Sequence, residues 1–200
     1  MSTPVFTVIP KTQFKTIPWK NGKGNTIELA INDGGNLESF EWRLSMASVV
    51  EDGVFSDFSG YLRNLILIKG DGIELIHDDK ISDKLTTLLS MATFDGSSET
   101  VGKLTHHAIT DFNIITNQKS YDVEVNTYLL SNKISLPNHT LSFIYCLEGD
   151  AKITSTDNRI DITLPVGDLG KLAINNNENI TVSGQKMIVV KLKAKSDSIL

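Results

Sequence analysis

The sequence predicts an all-β protein built from two jelly rolls in tandem. Three observations carry that expectation. Apolar residues recur with a period of two rather than 3.6, turn dipeptides rich in Gly, Asp and Asn interrupt the chain at short intervals, and one strand–turn–strand phrase occurs twice. A chain of 200 residues, 40% of them hydrophobic, can build one large or two closely packed β cores without covalent staples. The 24 acidic residues against 19 Lys and Arg leave a net charge of −5. The basic residues are scattered, so no stripe is available to neutralise phosphates, and nucleic acid is not an expected partner. Cys146 is the single cysteine, which rules out an intramolecular disulfide and suits a reducing, cytoplasmic setting.

Residues 1–16 are broken by Pro4 and Pro10 and lack a basic segment followed by an apolar one, so no secretory signal is expected there. The first alternation is Ile27, Leu29, Ile31. The clearest is Phe40 to Ala47, where Phe40, Trp42, Leu44 and Met46 share one face and Glu41, Arg43, Ser45 and Ala47 the other. β-Favouring runs follow at 64–68, 141–147 and 187–192, with an alternation at Val123 and Val125 between them. The aliphatic stretches within these runs are far shorter than the ~18–20 residues of a membrane helix, so no membrane partner is expected. Turns are predicted at Asn21-Gly22, Asp33-Gly34, Asp52-Gly53, Gly70-Asp71-Gly72, Asp95-Gly96, Glu148-Gly149-Asp150 and Gly167-Asp168.

The repeated phrase aligns Leu67 to Leu75 with Leu147 to Thr154 when Gly70 is set on Gly149. An apolar strand, a Gly-Asp turn and a second strand, with a further turn downstream, have the rhythm of cupin half-motifs. Two halves are expected, 1–118 and 119–200, the first holding the candidate pocket. Cupin metal sites place His, His and Glu before the Gly-containing turn. Counting back from Gly70 reaches Ser56, Phe58 and Arg63, and from Gly149 it reaches Ser135, Pro137 and Ser142, none a usual ligand. His106 and His107 are adjacent and would point to opposite faces of a strand, whereas His77 and His139 fall in a predicted turn and a loop. All four histidines read as solvated surface residues, and neither a metal nor another cofactor is expected. Gly22-Lys23-Gly24 is no dinucleotide fingerprint, because Ile27 stands where the third Gly would be. Cys146 lies in an apolar strand and reads as a buried thiol.

The remaining chemistry is polar residues on strands. Arg43 and Ser45 share a face that points either to solvent or into a cavity. Arg63 precedes a very apolar strand, Trp19 to Thr26 is an aromatic and glycine-rich loop, and Asp111 and Asn113 share one strand face. An arginine among aromatics suits a bidentate grip on a carboxylate. Ion pairs of Arg43 with Asp111, or Arg63 with Glu28, would account for some of these residues without a ligand.

Four segments in this order resemble the HutD/Ves family: Trp19 to Glu28, Phe40 to Ser48, Gly53 to Arg63, and Asp111 to Ile114. The likeness is close over most of 15–118 and departs at Tyr61-Leu62, where the family carries a more polar stretch. It implies a bicupin fold, two jelly-roll β-barrels packed together, with no established catalytic activity and a link to bacterial histidine utilisation or, in the Ves branch, to stress. The reading that follows is a metal-free protein that binds a small anionic metabolite and senses or buffers it. Arg43 and Arg63 hold the acid; Asn21, Ser45 and Asn113 add neutral hydrogen bonds; Trp19, Trp42 and Phe55 wall the pocket. The alternatives are a cofactor-independent enzyme with Glu28 or Asp111 as general base, and a protein-interaction module. A homodimer is compatible with each.

Overall fold

The computed structural model describes residues 5–19, 24–156, 159–174 and 179–195. The chain opens with β1 (Val5–Ile9) and a 3₁₀ turn at Lys11–Gln13. Ten strands follow: β2 (Lys15–Pro18), β3 (Asn25–Ile31), β4 (Trp42–Val49), β5 (Gly53–Val54), β6 (Tyr61–Lys69), β7 (Ile73–His77), β8 (Ile81–Leu85), β9 (Met91–Asp95), β10 (Thr100–Leu104) and β11 (Ile109–Asn117). The last six are β12 (Tyr121–Tyr128), β13 (Asn132–Leu136), β14 (Thr140–Ser155), β15 (Asp161–Leu164), β16 (Leu169–Ile174) and β17 (Ile180–Ala194). Among the described residues there is no α-helix, and no helix long and apolar enough to cross a membrane.

Residues 14–120 form one compact unit. Its two antiparallel sheets run β2-β3-β4-β11-β6-β9 and β5-β10-β7-β8. Leu65, Leu67, Ala92 and Phe94 from the larger sheet meet Ile73, Leu75 and Leu85 from the smaller one, with Phe55 and Leu104 packed at the margin. The turn at Gly70-Asp71-Gly72 carries the chain from β6 in one sheet to β7 in the other. A Cβ on Gly70 would approach the Ala108 carbonyl to 2.8 Å, and its φ of +103° is a glycine conformation.

The other unit joins β1 to residues 121 onward, in a sheet ordered β1-β16-β14-β17-β12 with β13 on β17 and β15 on β14. Sequence reading counts residues 1–13 with the first half. Val5 lies opposite Ala173 and Ile9 opposite Leu169, while Phe6 and Val8 pack on a core that includes Ile144, Ile153, Leu172, Val182 and Val189. The expected hairpin turn at Glu148-Gly149-Asp150 is instead an irregularity inside the long strand β14, which pairs with β17 on both sides of it. Gly149, at φ +70°, lets the strand bend there without ending.

All strand pairings in both units are antiparallel, as the period-two pattern implies. The sheets do not close: each pairing path ends on edge strands, β2 and β9, β5 and β8, or β1 and β12.

Candidate functional site

The polar residues singled out in the sequence converge on the inner face of the six-stranded sheet. β4 pairs with β11 so that Arg43 faces Ile115, Ser45 faces Asn113 and Ala47 faces Asp111. On the other side of β11, Arg63 of β6 lies opposite Ile115, and Phe94 of β9 lies opposite Arg63. Glu28 of β3 stands beside Ser45. Side chains opposite one another in antiparallel strands share a face, so Glu28, Arg43, Ser45, Arg63, Asp111 and Asn113 look the same way as Leu65, Leu67 and Phe94. That face packs on the four-stranded sheet.

Burial here is deeper than alternation alone predicts. β4 is expected to be half-buried, but Trp42, Arg43, Leu44 and Ser45 are all buried, so residues of both faces are shielded along this stretch of the strand. The solvent alternative for Arg43 and Ser45 is thereby removed. Arg43, 6% exposed, donates from Nε to Glu28 Oε2 at 2.8 Å. The ion pair forms with Glu28 rather than with Asp111, since β3 and β11 flank β4 on opposite sides and Arg43 leans towards β3.

Arg63 is 5% exposed. Its Nη2 donates to Asn113 Oδ1 at 3.1 Å and its Nη1 to the Ser56 carbonyl at 3.3 Å, while Nε is buried and has no partner. Three rings enclose the guanidinium, with centroids at 5.4 Å (Phe55), 5.3 Å (Phe58) and 5.1 Å (Phe94). Burial lowers the Arg63 pKa to about 10, partly offset by the nearby charge of Asp111. Asn113 turns its amide nitrogen to Asp111 Oδ1 in a short hydrogen bond, so one side-chain amide bridges the two charges. Asp111 is 1% exposed, and its Oδ2 has no partner. Burial raises its pKa to about 7, against the opposing pull of Arg63, of Asn113 and of the Ala47 backbone N–H.

A segment running from β5 to Gly60 straps this cluster. The Phe55 N–H donates to the Thr100 carbonyl and the Phe58 N–H to the Gly96 carbonyl, both at 2.8 Å, which sets the two rings and the Ser56 carbonyl against Arg63.

The other expected site residues fall elsewhere. Trp42 is a correction: adjacent to Arg43 on a regular strand, it projects from the opposite face of β4 and cannot wall the same pocket. Trp19 lies over Gly24, where a Cβ would come within 3.0 Å of its ring, and donates from Nε1 to Thr26 Oγ1 at 2.8 Å. Asn21 lies outside the described residues. His77, expected at the surface, is 5% exposed. As the last residue of β7 it continues the inward set Ile73 and Leu75, with Nδ1 2.9 Å from Thr100 Oγ1, Nε2 3.2 Å from Asp83 Oδ2, and its ring stacked on Phe94 at 4.5 Å. His106, His107 and His139 are exposed. Cys146 is buried, and burial raises its thiol pKa to about 11.

Phe58, Phe94 and His77 are the members that sequence reasoning missed. Phe58 and Phe94 were visible as aromatics near predicted turns, but only the pairing of β6 with β9 and the strap bring them to Arg63. Among the described residues, no three His, Cys, Asp or Glu side chains converge as a metal site requires. A groove of about 180 Å³ lined by Ile27, Met46 and Thr110 opens on the opposite face of the sheet.

An all-β chain of open antiparallel sheets, with a polar cluster buried inside one unit, is a cupin-like protein. At the level of fold the likeness extends to the bacterial pirin YhhW from Escherichia coli, solved with nickel(II), at TM-score 0.65 and 7% identity over 95% of this chain and 99% of that one. The HutD family profile matches residues 11–190, and the chain belongs to that family. It is 41% identical over 108 residues to an uncharacterized 21.2 kDa protein in the hutC 3′ region of Pseudomonas putida. Over the same length it is 33% identical to protein Ves of Escherichia fergusonii. Each match covers 54% of this chain and 56% of the relative, so the chain spans about half the length of these curated relatives. HutD from Pseudomonas fluorescens SBW25 superimposes with TM-score 0.83 at 26% identity, over 96% of this chain and all of that one.

Proposed function

We propose that the unit of residues 14–120 is a metal-free receptor for a small carboxylate, with Arg63 as its anchor, and that the protein senses or buffers such a metabolite in histidine utilisation. The observation that carries this reading is the state of Arg63. A guanidinium this deeply buried ordinarily has a carboxylate against it. Arg63 instead has aromatic walls, two neutral oxygens and an unpartnered Nε. Its nearest opposite charge, Asp111, is reached through Asn113. An incoming carboxylate supplies the missing acceptor in a site of low dielectric, where a charge-assisted hydrogen bond is strong. Arg43 supports rather than grips, because Glu28 already occupies its Nε. The strap carrying Phe55 and Phe58 is the element that opens to admit the ligand. In the same reading the two units are the two cupin-like halves of a bicupin with open sheets, and the ligand belongs to the first.

Calorimetric titration of formate, urocanate, formylglutamate, glutamate and histidine into wild type and Arg63→Met tests this. At 100 times its dissociation constant, a true ligand raises stability by about 2.7 kcal/mol. Arg63→Met should weaken it by about 2–5 kcal/mol. Equal affinities in a folded Arg63→Met variant, or no binding of any acid to wild type, would overturn the assignment. The second reading, cofactor-independent catalysis with Asp111 as general base, is favoured by the titration of that carboxyl near neutrality. Product formation from any acid that binds, lost in Asp111→Asn, would establish it.

A further inference from the structure

We propose that anion binding at Arg63 is coupled to uptake of one proton by Asp111, so that the site takes its ligand as the acid rather than as the salt. The inference rests on the carboxylate-binding reading and adds the proton to it.

The charges on this face come in two pairs of different kind. Arg43 and Glu28 touch and cancel. Arg63 and Asp111 do not touch: Asn113 stands between them, its oxygen on the guanidinium and its nitrogen on the carboxylate. The ionised form of Asp111 is therefore supported by a cation it does not contact, beside the hydrogen bonds from Asn113 and the Ala47 backbone. An anion seated on Arg63 cancels that cation and adds a like charge near Asp111, and both effects favour the neutral acid. Asp111 can become neutral without rearrangement. Oδ1 still accepts from Asn113, and Oδ2, buried with no hydrogen bond to lose, is free to carry the proton. The proton comes from solvent and is returned when the anion leaves.

The charged and titratable neighbours are few. On β3 and β4 they are Glu28 and Arg43, already paired; on β6 there is Arg63; and from the opposing sheet His77 reaches in, held by Thr100 and Asp83 and stacked on Phe94. Burial has already brought Asp111 to a pKa of about 7, so a further rise on binding shows as proton uptake chiefly above pH 7, where the free carboxyl is ionised. His77 is the competing acceptor, and the test separates the two.

Formate and nitrate serve as probes, because both remain ionised between pH 6 and 9 and neither brings a proton of its own. Titrations at pH 8 in buffers of contrasting ionisation enthalpy should report close to one proton taken up per anion bound. The dissociation constant should rise about tenfold per pH unit above pH 7. Asp111→Asn should bind both anions with no proton uptake and a flat pH profile. Carbon-13 spectra of aspartate-labelled wild type should show one buried carboxyl moving to its protonated shift when formate is added, a readout that needs no variant to fold. Binding with no proton uptake overturns the coupling and leaves the receptor reading standing. Uptake that persists in Asp111→Asn overturns the role of Asp111 and points to His77. No binding of either anion by wild type at any pH overturns both readings.

Discussion

Asp111 holds its proton to a higher pH in the folded protein than in the unfolded chain, with a pKa raised from 3.8 to about 7. The sign follows from the protons each state carries. Between those values the native state is protonated and the unfolded state is not, so stability from this group is complete below pH 4 and is lost as the pH rises through 7. Asp111→Asn should lack that slope, and denaturant titrations should find it gaining on wild type by on the order of 4 kcal/mol between pH 4 and 8. A difference that stays constant over that range would mean Asp111 is ionised throughout. The pair of Glu28 and Arg43 behaves differently, because both charges are buried and in contact. Glu28→Gln leaves Arg43 uncompensated and should cost about 3–5 kcal/mol, whereas Glu28→Gln combined with Arg43→Met should recover most of that loss. Equal destabilisation by the single and double changes would show that packing, not charge, is what the pair supplies.

At the scale of elements, the strap from β5 to Gly60 depends on a backbone approach that only glycine permits. Gly96 at the turn after β9 accepts the Phe58 N–H on its carbonyl and donates its own N–H to the Tyr61 carbonyl. A Cβ there would overlap the Phe58 carbonyl oxygen. Gly96→Ala should therefore displace the strap and destabilise the protein by about 1–3 kcal/mol. Cation–π contacts from Phe55 and Phe58 would be lost with it, and formate should reach Arg63 faster. Stopped-flow association rates, compared with wild type, check this: an unchanged rate in a destabilised Gly96→Ala would show that the strap does not gate the site. β11 is the element that makes the site a site. Placed between β4 and β6, it brings Arg43, Ser45 and Arg63, which are up to 20 positions apart in sequence, alongside Asp111 and Asn113.

For the whole molecule, the placement of β1 ties the start of the chain to the unit that contains its end. β1 is the outer strand of that unit, and the Phe6 ring covers Gly170, where a Cβ would come within 3.3 Å of it. Phe6→Ala should lower stability by about 2–3 kcal/mol, less than a fully buried Phe because the residue is only partly buried. The loss should appear first in hydrogen exchange of β16 and β14 rather than of β4 and β11. Uniform loss of protection across both units would mean that they unfold together.

The β class, turns such as Asp33-Gly34 and Gly70-Asp71-Gly72, and the sharing of a face by Arg43 with Ser45 and by Asp111 with Asn113 were legible in the sequence. Each depends only on the two-residue repeat of an extended chain, which is a local property. The same repeat, applied strictly, already separates Trp42 from Arg43. What tertiary structure decided was everything that depends on which strands become neighbours. Arg43 found Glu28 instead of Asp111, Arg63 found three aromatic rings and no carboxylate, His77 turned inward, and β1 left the first half to pair with β16. Strand order and register are chosen by how apolar faces from distant segments bury one another, and no pattern within a single segment records that choice.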